Sequence, residues 1–262
     1  MKAIKPSQRI LLAIVSLAAL LSLSASWAEA ATTTYFIDFN GVTTTTSSGN
    51  PNGYTWNNIS SSALAALSDS TGLLSAASIQ MVGSWGAGAG NGTPTTLGMT
   101  GAAATAFGGA QYTAANNLYY TGAATGTGGT SSTYITFTNL IPTDTYTFTI
   151  FASRNGGGNR DGLYTLVGGT TATGTLDASP NGSVNTANIL TLTVTPTAAG
   201  VITLYDSLAS DNTATFAYIN ALRIDATAVA VPEPATTALL GFGAIAFLGM
   251  RQLRRRFVAV NG

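Results

Sequence analysis

The sequence contains no cysteine and no histidine, and these two absences exclude several kinds of site. Without cysteine the chain forms no disulfides, so its stability must come from an apolar core. Without histidine there are no Ser-His-Asp or Cys-His catalytic arrangements and no zinc sites of the usual type. Hydrolysis by paired carboxylates would need two aspartates, but the aspartates are scattered singly among turn residues. We therefore expect that the protein is not an enzyme.

Charged residues are also rare. Residues 31–230 carry three arginines, eight aspartates, no lysine and no glutamate, which gives this stretch a formal charge of −5. A surface with so few cations cannot neutralise a phosphate backbone, so we expect no nucleic-acid partner. Solubility must come instead from threonine, serine, asparagine and glycine.

One apolar run lies near the N-terminus. Three basic residues occur within the first nine positions, and a stretch interrupted only by serines follows over residues 10–23. Ala28 and Ala30 then form an A-x-A cleavage site, which completes the layout of a secretory signal peptide. An uncleaved N-terminal anchor is the alternative interpretation. Both predict that the middle of the chain is exported.

A second apolar run, residues 235–250, lies near the C-terminus. As a helix its 16 residues would extend roughly 24 Å, which is marginal against a bilayer core of about 30 Å. Arg251, Arg254, Arg255 and Arg256 end the run, and such clusters favour the cytoplasmic side of a membrane. The pattern predicts a single transmembrane helix with the preceding chain outside, and a buried core helix is the alternative.

Just before this run stands Val231-Pro232-Glu233-Pro234, whose prolines keep the chain extended. This motif, the short apolar helix and the arginine cluster together resemble the PEP-CTERM sorting signal of Gram-negative bacteria. The resemblance implies that an exosortase recognises the tail and cuts near the motif. It also implies a membrane-anchored precursor, a final location at the cell surface or in the extracellular matrix, and a link to exopolysaccharide and biofilm.

Threonine alternates with apolar residues in the second half of the core, which is the period of half-buried strands. Tyr146, Phe148 and Ile150 share one face of such a strand, and threonines occupy the other. Threonine suits strands, and turns rich in Gly, Pro and Asn separate the runs. The pattern predicts an all-β fold for residues 31–230, an antiparallel β-sandwich.

The first half of the core gives weaker signals. Residues 35–41 are predicted as a first strand at a sheet edge, and residues 61–67 as one or two helical turns. The Gly-, Ala- and Thr-rich residues 83–129 are predicted as long loops with up to two irregular strands. Near the end of the core, residues 215–224 are predicted as one strand.

Four segments of residues 134–223 share a hydrophobic spacing, namely ITFTNLIPTDTYTFTIFASR, GLYTLVGG, TPTAAGVITLYDS and FAYINALRI. Residues 67–82 fit the earlier part of the same pattern. Together they resemble galactose-binding-like jelly-roll modules. The resemblance implies a jelly-roll-like sandwich of a kind that often binds carbohydrate, sometimes holds structural calcium, and in many members has no known ligand.

One loop, SRNGGGNRDG at residues 153–162, concentrates side chains suited to binding. Arg154, Asn155, Asn159, Arg160 and Asp161 offer guanidinium, amide and carboxylate groups that can hydrogen-bond sugar hydroxyls. Asp161 with nearby amide and carbonyl oxygens is alternatively a calcium ligand, although the spacing is not that of an EF-hand. The third interpretation is a long hairpin turn whose Arg and Asp pair on the surface.

The sequence thus predicts a signal peptide over residues 1–30, an exported β-sandwich over 31–230 and a sorting signal over 231–256. One hypothesis is a non-catalytic carbohydrate-binding module associated with exopolysaccharide or the biofilm matrix. The other is a structural matrix or adhesin protein without a specific ligand. Exposed aromatic residues on a sheet face favour the first, because sugar rings stack on them, and a threonine-covered surface favours the second. No cofactor is expected apart from the calcium alternative.

Overall fold

Alternation of threonine with apolar residues decides which face of each strand is buried. Along residues 145–151, Tyr146, Phe148 and Ile150 are buried, while Thr145 and Thr147 lie on the half-exposed outer face. The computed structural model describes residues 30–40, 50–59, 63–64, 66–89, 98–122 and 133–229. Most of these residues lie in strands or in the turns that join them.

The described residues form fourteen strands, two short α-helices and one 3₁₀ turn at Pro180–Gly182. The helices are α1 (Gly101–Phe107) and α2 (Tyr112–Asn116). The strands are β1 (Thr32–Asp38), β2 (Trp56–Asn58), β3 (Ala63–Leu64), β4 (Ser78–Val82), β5 (Gly86–Ala89), β6 (Asn117–Gly122), β7 (Tyr134–Thr138), β8 (Thr145–Phe151), β9 (Asp161–Val167), β10 (Thr171–Asp177), β11 (Leu190–Val194), β12 (Ile202–Leu208), β13 (Phe216–Ile219) and β14 (Ala221–Thr227).

The strands make three sheets. A five-stranded sheet has the order β11-β8-β14-β1-β2, and a six-stranded sheet has the order β10-β9-β12-β7-β4-β3. A smaller sheet has the order β13-β6-β5. Among the described pairs only β1 with β2 is parallel, and the others are antiparallel. The predicted all-β antiparallel sandwich is confirmed.

The two large sheets pack face to face around the main core. Phe137 of the six-stranded sheet meets Phe148 of the five-stranded sheet edge to face, with ring centroids 5.2 Å apart. Ile37, Leu204 and Leu222 are fully buried in the same cluster. Because the chain has no disulfide, this apolar burial is the main source of its stability.

The outer face of the five-stranded sheet carries a second, smaller core beneath the two helices. Phe36 of β1 stacks on Trp56 of β2 at 5.1 Å, and Phe107 of α1 packs against both rings. Ala103 and Ala115 bring the helices close to the sheet and are buried. This second core gives β1 buried residues on both of its faces.

Four of the finer predictions differ from the structure. Strand β1 is not an edge, because β14 and β2 flank it. Residues 63–64 pair with β4 as a short strand instead of forming a helical turn. The Gly- and Ala-rich region contains α1 and α2 as well as β5 and β6. The predicted strand over residues 215–224 breaks at Asn220, where the chain passes from the small sheet into the five-stranded sheet.

The two terminal features of the sequence fall on residues that the structure does not describe. The apolar stretch of the signal peptide with Ala28, and the tail with Val231, the Pro-Glu-Pro motif and the four arginines, lie outside the described residues. Residues Thr32–Val229 form one unit by their internal contacts. Neither of the two described helices is long and apolar enough to cross a membrane. The predicted domain boundaries stay predictions.

Candidate functional site

Three aromatic side chains cluster on one face of the small sheet. Tyr120 of β6 is the direct cross-strand partner of Tyr218 of β13, and Phe216 lies two residues before Tyr218 on the same face. The Tyr120 and Phe216 rings meet edge to face with centroids 5.6 Å apart, and the Tyr120 and Tyr218 centroids are 6.1 Å apart. Tyr218 is buried, whereas Tyr120 and Phe216 are half-buried and leave part of their rings accessible.

Strand β5 leaves the space beside these rings open because it consists only of glycine and alanine. A Cβ atom on Gly86 would lie 2.3 Å from the Tyr120 ring, so only glycine allows the ring to rest on this strand. The result is a cleft of about 230 Å³, which we name the arginine–tyrosine cleft. It is lined by Ala87, Gly88, Tyr120, Arg154, Phe216 and Tyr218.

The predicted ligand loop forms one wall of this cleft and is held in place by hydrogen bonds. The Ser153 amide donates to Asn220 Oδ1 at 2.7 Å, and the Arg154 amide donates to the Ala178 carbonyl at 2.8 Å. The Ser179 hydroxyl donates to the Gly156 carbonyl at 2.7 Å. These contacts fix the backbone on either side of Arg154, so the wall is formed before any ligand arrives.

Arg160 lies against the floor of the cleft. Its Nη1 donates a hydrogen bond to the Tyr218 hydroxyl, and its guanidinium carbon lies 5.6 Å from the centroid of the same ring. The guanidinium also packs on Gly156, where a Cβ would lie 2.4 Å from Nη2. Its Nε is buried and has no hydrogen-bond partner among the described residues. Arg160 is therefore held rigidly with part of its hydrogen-bonding capacity unused.

The electrostatics of the cleft are positive in an acidic domain. Burial raises the pKa of the Tyr218 hydroxyl, while the positive charges of Arg160 and Arg154 act in the opposite direction. Both guanidinium groups therefore lie close enough to Tyr218 to affect its ionisation. Away from the cleft, Arg223 forms an ion pair with Asp225 at 2.9 Å.

The other loop residues predicted for binding do not line the cleft. The side chain of Asn159 stabilises the turn. Its Oδ1 accepts a hydrogen bond from the Asp161 amide at 2.8 Å, and its Nδ2 donates one to Asp211 at 3.1 Å. Asn155 is exposed. Of the predicted loop residues, Arg154 thus lines the cleft, Arg160 lies behind it against Tyr218, and these two asparagines lie outside it.

Asp161, the predicted calcium ligand, lies among other carboxylates. Burial raises the pKa of its carboxyl, the hydrogen bond from Asn159 lowers it, and the carboxylates of Asp177 and Asp211 raise it. The described residues contain no group of three or more acidic side chains arranged to hold a metal ion. Calcium at Asp161 stays a prediction.

Sequence reasoning missed the three aromatic residues. Phe216 and Tyr218 alternate with Ala217 in a predicted strand, so their shared face was available from the sequence. Tyr119 and Tyr120 are adjacent, and only the strand pairing shows that Tyr119 faces the core while Tyr120 faces the cleft. Strand β5 has no pattern of large side chains that could have revealed, from the sequence, its place beside the cleft.

A second cleft of about 140 Å³ lies over the five-stranded sheet beside α1. Tyr54 stacks on Phe36 at 5.0 Å along its wall, and Arg223 is the charged residue in it. Arg223 already pairs with Asp225 and donates from Nη1 to the Ala106 carbonyl at 2.9 Å. Its charge is therefore compensated within the protein, in contrast to that of Arg160.

The side-chain carboxyl groups of two aspartates are buried and have no hydrogen-bond partners among the described residues. Asp38 lies at the end of β1, and burial raises its pKa to about 8. Asp206 faces the main core as the cross-strand partner of Tyr164, and burial raises its pKa well above the usual range. Neither residue lines the arginine–tyrosine cleft.

Comparison with known proteins identifies the tail. Residues 230–256 match the PEP-CTERM protein-sorting motif. The chain carries a PEP-CTERM sorting signal. This confirms the sequence prediction and implies export, a membrane-anchored precursor in a Gram-negative bacterium and processing by an exosortase. No curated protein matches the chain in sequence.

Solved structures resemble this chain in fold. The extracellular domain of ANXUR1 from Arabidopsis thaliana matches with a TM-score of 0.50 at 12% identity, over 78% of this chain and 52% of that chain. The chain therefore spans about half the length of the ANXUR1 structure. At this identity the likeness concerns the fold alone.

Two carbohydrate-binding modules from Clostridium perfringens also match. The CpGH89CBM32-5 module, solved with GalNAc-β-1,3-galactose, has 17% identity and a TM-score of 0.25 over 54% of this chain and 94% of its own. The family 32 module of NanJ, solved with galactose, has 16% identity and a TM-score of 0.24 over 55% and 93%. These scores are too low for a comparison of sites.

Proposed function

We propose that this PEP-CTERM protein is a non-catalytic carbohydrate-binding protein whose ligand occupies the arginine–tyrosine cleft. The observation that carries the proposal is the presence of three aromatic rings and an arginine around one small cleft. Half-buried aromatic rings offer apolar faces to the C–H surface of a sugar, and arginine donates to its hydroxyl oxygens.

Each cleft residue has a role in this proposal. Tyr120 and Phe216 provide the stacking surfaces, because part of each ring is accessible. Arg154 donates hydrogen bonds from the loop wall, and Tyr218 forms the floor. The cleft volume of about 230 Å³ lies below the roughly 300–1,000 Å³ of pockets for drug-sized ligands, which suits one sugar unit of a longer chain.

The sorting signal supports the location of this activity. An exported protein released from its membrane anchor meets the polysaccharide outside the cell, so we place it at the cell surface or in the exopolysaccharide or biofilm matrix. The buried aspartates support a non-catalytic role, since Asp38 and Asp206 are enclosed and do not line the cleft. General acid–base chemistry on a sugar needs carboxyl groups within reach of the glycosidic bond.

A structural role in the matrix is the second candidate, and the outer face of the six-stranded sheet favours it. One row across this face consists of Thr173, Thr165, Tyr205 and Tyr134, all linked by strand pairing. The row carries no charge, and the two tyrosine rings are 5.4 Å apart. A neutral hydroxyl-rich face can contact matrix polymers without a defined cleft.

A glycan array probed with the full-length chain in detergent tests the proposal. We expect the wild type to retain a limited set of glycans and the Phe216→Ala variant to lose them. The Tyr134→Ala variant, which removes a half-buried ring from the six-stranded sheet, serves as the matched control and should bind as the wild type does. Binding that depends on Tyr134 instead would support the structural candidate.

A further inference from the structure

The distribution of arginine in this protein is uneven. Residues 31–230 contain three arginines against eight aspartates. Of the three, Arg154 lines the cleft and Arg160 donates to the Tyr218 hydroxyl. The third, Arg223, is neutralised by Asp225 at 2.9 Å. Two of the three arginines of an acidic domain therefore lie at or directly behind the arginine–tyrosine cleft.

Arg160 has no carboxylate partner among the described residues, although it is half-buried. The nearest aspartate in sequence is Asp161, but successive side chains along the start of β9 point to opposite faces. Asp161 lies with Asn159 and Asp211 on the other side of the loop, whereas Arg160 lies on Tyr218. A partly desolvated cation without a counter-ion favours an anionic partner from outside.

We infer that the ligand of the arginine–tyrosine cleft is an acidic sugar, whose carboxylate binds Arg154 at the cleft wall, beside the positive charge of Arg160 behind Tyr218, while its ring lies on Tyr120 and Phe216. This inference rests on the proposed function and names its substrate class. A carboxylate matches the planar fork of a guanidinium, with two parallel N–H···O bonds. Arg160 adds its positive charge from behind the floor, because Tyr218 and Gly156 fix its guanidinium there and it pairs with no carboxylate of the described residues.

The negative charge of the rest of the domain does not prevent this binding. At physiological ionic strength the Debye length is about 8 Å, so exposed aspartates farther than this from the cleft act weakly on the ligand. Arg154 lines the cleft and acts at contact distance, where charge-assisted hydrogen bonds are roughly twice as strong as neutral ones. Among the described residues no aspartate lines the cleft, so the contact between Arg154 and a carboxylate is not opposed at the same range.

Calorimetric titration of the full-length chain in detergent tests the inference with four matched oligosaccharides. They are an oligogalacturonate, the same oligomer with its carboxylates methyl-esterified, a neutral galactose oligomer of equal length and a sulfated galactose oligomer. We expect the free acid to bind at least about tenfold more tightly than the ester, and its affinity to fall as salt is added. The ester comparison needs no protein variant, so it is independent of folding.

Three variants then locate the carboxylate. Arg154→Gln should abolish the preference for the free acid, Arg160→Gln should reduce it, and Arg223→Gln, which removes the same charge in the second cleft, should retain it. Equal binding of acid, ester and neutral oligomer would overturn the inference and leave the proposed function intact. Preference for the sulfated oligomer would overturn the carboxylate assignment. Absence of binding to all four would overturn the inference and count against the proposed function as well.

Discussion

Tyr164 donates its hydroxyl hydrogen to the backbone carbonyl of Tyr218, so the main core holds the floor of the cleft from below. Tyr164 is fully buried in β9, and Tyr218 lies on β13 in the small sheet. The bond therefore joins two different sheets at the point where the proposed ligand would sit. It links the stability of the core to the geometry of the cleft.

Replacing Tyr164 with Phe should affect both properties. The change leaves the Tyr218 carbonyl buried without this donor, which costs about 1–3 kcal/mol. We expect a lower urea midpoint and weaker glycan binding, although Tyr164 does not line the cleft. Tyr205→Phe on the half-exposed outer face of β12 is the control and should change neither. Unchanged glycan affinity in a destabilised Tyr164→Phe variant would show that this bond does not set the cleft floor.

The stability of the domain should fall as pH rises from about 4 to about 8 because Asp38 is buried. Its pKa is raised from 3.8 to about 8 by burial, so in this window the folded state keeps a proton that the unfolded state releases. Each pH unit then costs up to about 1.4 kcal/mol. We expect Asp38→Asn to raise the melting temperature at pH 7 and to make the pH profile less steep, with the remaining slope due to Asp206, whose pKa burial also raises.

The Asp69→Asn variant should change stability at neutral pH in the direction opposite to Asp38→Asn. The half-exposed Asp69 carboxylate has a lowered pKa, first because it accepts a hydrogen bond from the Thr71 hydroxyl. Its contribution is present above the unfolded pKa and is lost in acid, so its removal should lower stability at neutral pH. If Asp38→Asn instead lowered the melting temperature at pH 7, the ionised Asp38 carboxylate would have to be stabilised by a partner in the folded protein.

Two neighbouring glycines allow a matched test of Arg160. A methyl group at Gly156 would lie 2.4 Å from Arg160 Nη2, and its φ of +153° disfavours a side chain. A methyl group at Gly157 meets nothing within 4 Å. Gly156→Ala should displace the guanidinium and weaken binding of an acidic glycan at least about tenfold, while Gly157→Ala should bind as the wild type does. Titration calorimetry separates the two, and equal affinities would remove Arg160 from the site.

The sorting signal makes a prediction that is independent of the cleft. Replacing Pro232, Glu233 and Pro234 with alanines allows a continuous helix to run back from the apolar stretch, which would hide the recognition segment. We expect export to continue and a membrane-bound precursor to accumulate, measured by immunoblotting of membrane and released fractions. If this variant were released to the same extent as the wild type, the motif would not be what the exosortase recognises.

The strands of the sandwich could be predicted from the sequence because threonine and apolar residues alternate in β7, β8, β11 and β12. Period-two alternation reports directly which side of a strand is buried. The loop with Arg154 and Arg160 could also be singled out, since the core contains so few other charges. Helix α1 was missed although its sequence, GAAATAF, is rich in alanine, the residue with the highest helix propensity.

The cleft itself could not be predicted, because it depends on pairings between distant segments. Gly86 of β5 is the cross-strand partner of Tyr120 of β6. Tyr120 in turn pairs with Tyr218, which lies almost a hundred residues farther along the chain. Strand β5 has no side chains whose periodicity could reveal it. Nothing local indicates that Asn220 ends β13, since its side chain bonds the Ser153 amide and the Ala115 carbonyl across the fold.

The central claim is that a sugar binds at the arginine–tyrosine cleft, and one calorimetric titration tests it most directly. The full-length wild type, Phe216→Ala and Tyr134→Ala are titrated with the glycan that the array retains best. The account predicts one site per chain, a loss of at least about tenfold in Phe216→Ala and wild-type affinity in Tyr134→Ala. Wild-type affinity in Phe216→Ala, with loss in Tyr134→Ala, would contradict it and move the site to the outer face of the six-stranded sheet.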